Sequence, residues 1–218
     1  MKIHFNTLAV VLVILFCSVM TKLETCSATD IQQPVTEETN VNLSNNSVTG
    51  QVIFYSRTGN TKTVSKVIAE SLDLHLQEIQ DLKDRSGFFG FIGGMIDVRK
   101  SPITTISPET FNLDKHEVLF IGSPIWGMKF APAITTFLQE ADLTGKKIIL
   151  FATTSSRMKQ AAFDEYSKLI HTKGGTVIDT FFLKTFWKES KEIEKEAQEI
   201  VAAKKEPWLE KAQMDEPK

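Results

Sequence analysis

In this 218-residue chain, the run Ser56-Arg57-Thr58-Gly59-Asn60-Thr61 has the residue types and spacing to do chemistry. It sets three hydroxyls and one amide around a glycine. The apolar, β-rich run Gln51–Tyr55 precedes it, and a helical pattern follows. A helix start offers unpaired N–H groups and a partial positive charge, so a loop placed there suits an anion. Gly59 lets the backbone curl closely around an oxyanion. A phosphate dianion could therefore be held mainly by neutral donors. The loop lacks the lysine of GxxxxGK[ST], which argues against a nucleoside triphosphatase. GxGxxG is missing too, which argues against a Rossmann dinucleotide site. A plain helix cap would use the same residue types, but a cap needs one hydroxyl.

Other chemistries are poorly supported. The cysteines are Cys17 and Cys26, so the chain after residue 26 has no thiol for a disulfide, metal site or nucleophile. His4, His75, His116 and His171 are scattered without metal-ligand spacing and read as surface or edge residues. No triad or carboxylate pair stands out, so no catalytic residue is assigned. The formal net charge of −2 gives no case for nucleic-acid binding, which normally shows a basic domain.

The elements that must position this loop alternate in kind. Strands are predicted at Gln51–Tyr55, Leu74–Ile79, Val118–Ile121, Ile148–Ala152 and Thr176–Phe182. Helical spacing appears at Asn60–Leu72, Ala131–Ala141, Phe163–Ile170 and Ser190–Ala203. Such alternation predicts an α/β fold: a doubly wound three-layer sandwich around a five-stranded parallel sheet of order 2-1-3-4-5. Ligands in such folds sit beyond the C-terminal strand ends. Besides the first loop, that singles out Ser123-Pro124-Ile125-Trp126-Gly127 and Thr153-Thr154-Ser155.

The domain occupies residues 50–206. Residues 1–28 contain an apolar run, Leu8–Met20, after a short basic start, and read as a signal peptide or a membrane anchor. The expected location is therefore extracytoplasmic: secreted, or tethered to the membrane by the N-terminus. Residues 29–49 are polar and read as a linker. Residues 207–218 read as a polar tail carrying an exposed Trp208.

The Ser56–Thr61 run resembles the phosphate loop of the flavodoxin family, in the matching strand–loop–helix context. Gly122–Gly127, followed by Pro132, resembles that family's loop after the third strand, where an aromatic residue flanks the flavin ring. Asp81–Arg85 with Gly87–Gly94 resembles a subset of prokaryotic flavodoxin-like domains. The resemblance spans roughly residues 51–203 and implies non-covalent FMN. It implies Ser56, Thr58, Gly59, Asn60 and Thr61 as phosphate-side contacts, Arg57 between them as a further cofactor contact, and Trp126 as the ring contact. Two departures stand out. Thr153-Thr154-Ser155-Ser156-Arg157 lacks the tyrosine that stacks on the flavin in many members, and the last strand has no long insertion, as in the short-chain type.

The implied function is an electron carrier serving a redox partner protein. Two alternatives are an FMN-dependent oxidoreductase of quinones or similar acceptors, and a surface binding domain that has lost its flavin. Arg57, Arg85, Arg99, Lys100, Lys129, Arg157 and Lys159 lie near the expected ligand edge, offset in part by Asp84 and Asp97. They suggest a partner with an acidic docking face.

Overall fold

A computed structural model describes residues 49–83, 103–155 and 160–214. The segments 1–28 and 29–48 lie outside them. So do Asp84, Arg85, the Gly87–Gly94 stretch with Phe88, Phe89 and Phe91, Asp97, Arg99, Lys100, Ser156, Arg157 and Lys159.

The chain enters β1 (Gly50–Phe54), turns through the Ser56 loop into α1 (Asn60–Leu72), and returns as β2 (His75–Glu78). A small antiparallel ribbon, β3 (Gln80–Asp81) with β4 (Ile106–Ser107), follows. Then come β5 (Val118–Trp126), β6 (Lys129–Phe130), α2 (Pro132–Glu140), β7 (Lys147–Thr154), α3 (Gln160–Thr172), β8 (Thr176–Lys184) and α4 (Ser190–Gln213). The main sheet has the order β2-β1-β5-β7-β8, and its four neighbouring pairs are all parallel. Counting only these five strands gives 2-1-3-4-5, the predicted doubly wound topology.

Strand residues alternate between two cores, as the two-residue period of a strand demands. Ile53, Ile121 and Leu150 face one side, with Ile134 and Phe137 of α2 and Phe163 and Ile170 of α3. Val52, Phe120 and Ile149 face the other, with Val64 and Ile68 of α1 and Ile193 and Val201 of α4. Gly122 is forced by packing across strands. A Cβ there would stand 2.2 Å from the Phe151 ring, which fills that space from β7.

Two element boundaries differ from the sequence reading by five residues or more. The stretch after Ile121, expected as a loop, continues as strand to Trp126. It pairs with Ala152 and Thr153 of β7, then reverses into β6 through Gly127 and Met128. Both turn residues have positive φ, 54° and 75°, as a tight two-residue hairpin turn requires.

The second correction concerns the tail. The last helix runs through Pro207 to Gln213, and Trp208 is buried, not exposed. Its ring lies 5.2 Å from Phe120 and 5.6 Å from Phe181, centroid to centroid. Proline costs about 3 kcal/mol inside a helix. Here Pro207 is exposed, as is Ala203 one turn before it, so the carbonyl left unpaired can take water. Burying the indole against two rings offsets that cost.

Candidate functional site

The candidate site is built at the C-terminal ends of β1, β5 and β7. β1 hands over to the loop at Tyr55, whose N–H donates to the Gly122 carbonyl at 3.1 Å. Gly59 then precedes α1 with φ 91°, a left-handed conformation that glycine adopts without strain. It has no side chain to cap the helix, no side-chain cap bond is present among the described residues, and no acidic residue stands in its first turn. The hydroxyls of the loop thus do not serve the helix as a cap, which removes the plain-cap explanation of their presence.

The three hydroxyls have separate fates. Ser56 Oγ is buried without a hydrogen-bond partner among the described residues. Thr58 is exposed. Thr61 turns inward, 1% exposed, and its Oγ1 lies 2.8 Å from Thr153 Oγ1 at the end of β7. Arg57 and Asn60 are half-buried. A buried polar atom without a partner costs free energy. Ser56 beside an uncapped helix start therefore fits an anionic group that supplies the missing partner.

At the end of β5, Ser123 is fully buried and its hydroxyl is committed locally. It accepts from the Ala131 N–H at 2.9 Å and donates to the Pro124 carbonyl at 3.0 Å. Pro124, Ile125 and Gly127 are half-buried. Trp126 is 5% exposed and meets Tyr55 edge-to-face, with centroids 5.8 Å apart. The aromatic contact thus joins the ends of β1 and β5. Thr153 and Thr154 are buried, and the Thr154 carbonyl accepts the Thr185 N–H at 2.9 Å. Ser155 is exposed.

Lys129, counted by sequence among the cations of this edge, forms an ion pair with Glu165 of α3 at 2.9 Å. The hydrogen bond to Glu165 raises its pKa above the ordinary lysine value, and the acid offsets its charge.

The sequence reading missed three residues on this edge. Tyr55 was read only as the last strand residue. Phe186 and Trp187 follow β8, with ring centroids 4.8 Å apart and exposures of 58% and 89%. Their adjacency was visible in the sequence; their exposure is a tertiary property. Among the described residues there is no metal-binding cluster, and no helix is long and apolar enough to cross a membrane.

Residues 94–189 match a protein-family model described as flavodoxin. The matched span takes in the β5 and β7 ends and begins after the Ser56–Thr61 loop. No curated protein matches the chain. Among solved structures, a candidate flavoprotein from Bacteroides uniformis is 22% identical, with a TM-score of 0.55 over 67% of this chain and 96% of that one. A flavoprotein from Lactobacillus acidophilus in complex with FMN is 19% identical, with a TM-score of 0.54 over 62% and 92%. A second candidate flavoprotein, from Bacteroides eggerthii, is 19% identical, with a TM-score of 0.54 over 71% and 98%. At these identities the likeness is one of fold. The chain thus carries a domain of flavodoxin-like fold, whose residues 94–189 match the family model described as flavodoxin.

Proposed function

We propose that this domain binds FMN without a covalent link and passes electrons to or from a partner protein. The observation that carries the reading is the uncapped start of α1 beside the buried, unpartnered Ser56 hydroxyl. The first-turn N–H groups, Ser56, Thr58 and the curl at Gly59 would hold the phosphate. The similar fold of an FMN-bound flavoprotein supports this choice of ligand. When bound, the flavin supplies one- or two-electron chemistry. The first loop would hold the phosphate, and the residues at the β5 and β7 ends would flank the ring and set the polarity around it.

Carrier function suits the residues present better than self-sufficient catalysis. The buried hydroxyls of Ser123 and Thr61 are engaged within the fold, and neither belongs to an acid–base pair. The visible spectrum of the purified protein tests the reading. Flavin bands after reconstitution with FMN are expected; a colourless protein that FMN cannot restore would overturn it. Turnover with NAD(P)H and a quinone, without another protein, would replace the carrier by an oxidoreductase.

The proposal extends to partner and place. Arg57, with the cations outside the described residues, favours an acidic docking face, although Lys129 contributes less because Glu165 pairs with it. Partner reduction should then slow as salt rises. The apolar run Leu8–Met20 favours export, with the domain either secreted or tethered. Cell fractionation checks this; recovery of the whole chain in the cytosol would refute it.

A further inference from the structure

The Thr61–Thr153 hydrogen bond stands apart from the rest of the loop chemistry. It links the second residue of α1 to the end of β7 across 92 positions of sequence, at 2.8 Å. Both side chains are buried, at 1% and 3% exposure. Thr61 therefore turns its hydroxyl toward the sheet and away from solvent. Around it the first turn is tied down by small hydroxyls. Ser65 Oγ donates to the Thr61 carbonyl at 2.8 Å, and Thr63 Oγ1 donates to the Gly59 carbonyl at 3.2 Å. Thr63 Oγ1 also lies 3.3 Å from Ser190 Oγ at the start of α4. Of these ties, Thr61–Thr153 alone is a buried side-chain bond from the helix start to the sheet.

An anion held by backbone N–H groups is recognised only as well as those groups are aimed, and preorganisation sets the strength of such a site. We propose that Thr153 is a positioning residue for the phosphate cradle. Its hydroxyl holds Thr61, and through Thr61 the first turn of α1, in the orientation that points the free N–H groups at the ligand. Thr153 itself does not touch the ligand. This inference rests on the FMN reading and assigns a second-hand role to a residue on a different strand.

The test measures FMN and riboflavin affinity on the full-length chain by quenching of flavin emission, for wild type, Thr153→Val, Thr153→Ser, Thr61→Val and the double Thr61→Val/Thr153→Val. Valine keeps the shape and removes the hydroxyl. Thr153→Val is expected to weaken FMN binding about tenfold and to leave riboflavin nearly unchanged. Thr153→Ser restores the bond and should return FMN affinity to within about twofold of wild type, which a loss of packing alone would not permit. Adding Thr153→Val to Thr61→Val should cost nothing further, because the two act as one unit. Wild-type FMN affinity in Thr153→Val would overturn the proposal, as would equal losses for both flavins. Additive losses in the double variant would also overturn it, since Thr153 would then contact the ligand directly. A wild-type protein that binds no FMN is a different result, because it removes the FMN reading itself.

Discussion

The indole N–H of Trp208 donates to the Asp179 carboxylate at 2.6 Å, and Lys204 reaches the same oxygen at 2.6 Å. One carboxylate on β8 thus holds two residues of α4. Burial alone would raise the Asp179 pKa, but the hydrogen bonds from Lys204 and Trp208 outweigh it and leave the pKa below the ordinary aspartate value. A lowered carboxylate pKa stabilises the fold above its unfolded-state value, near pH 4. That contribution is lost as pH falls through the lower folded-state value. Thermal midpoints measured from pH 7 down to about pH 2.5 should therefore fall less steeply in Asp179→Asn than in wild type. The variant should start lower at pH 7 and converge at the acid end; parallel curves would remove Asp179 from the account.

Gly122 and Phe151 should behave as a coupled pair. Gly122→Ala places a methyl 2.2 Å from the ring and should cost about 1–3 kcal/mol in denaturant unfolding. Adding Phe151→Leu should recover part of that loss, although it is destabilising alone. Simple additivity would mean that the strand shifts to accept the methyl.

Ser56→Ala separates binding from folding. Removing a buried hydroxyl that lacks a partner should leave stability unchanged or raise it by about 1 kcal/mol. FMN affinity should fall about tenfold, with riboflavin affinity preserved. A variant that is less stable yet binds FMN normally would contradict both halves of the prediction.

Trp187 should dominate the accessible emission. Of the three tryptophans in the sequence, Trp126 and Trp208 are 5% and 3% exposed, against 89% for Trp187. Acrylamide should quench wild type strongly and Trp187→Phe weakly. Trp187 also holds φ at 62°, so Trp187→Gly should stabilise the protein by roughly 1 kcal/mol. A fall in stability would show that its contact with Phe186 outweighs the backbone strain.

Local patterns were the most legible part of the sequence. The α1 bounds follow from the spacing of Val64, Val67, Ile68 and Leu72, and all four are buried as that spacing requires. The parallel sheet follows from the alternation of strand and helix, and its order is one of the common solutions for five strands. What escaped was set by distant partners. Pro207 reads locally as a stop signal, and only Phe120, Asp179 and Phe181, far away in sequence, make a buried helix of the residues beyond it. Gly122–Trp126 reads as a loop because Gly and Pro are poor strand formers, yet β7 and the hairpin turn hold it extended. At the candidate site, the residue types in the first loop were readable. The inward turn of Thr61 was not, because Thr153 lies on another strand.

The two faces of the sheet close at different stages of chain growth. The side covered by α2 and α3 draws its helices from within residues 132–172, before β8 is made. The other side needs α4, which is the last described element yet packs on α1 and on strands near the start of the domain. A nascent chain emerging from the ribosome therefore carries Val52, Phe120 and Phe151 under an incomplete cover until residues near Trp208 have cleared the exit tunnel. During that interval the unfinished face is open to solvent and to other chains, so holding chaperones should engage it there.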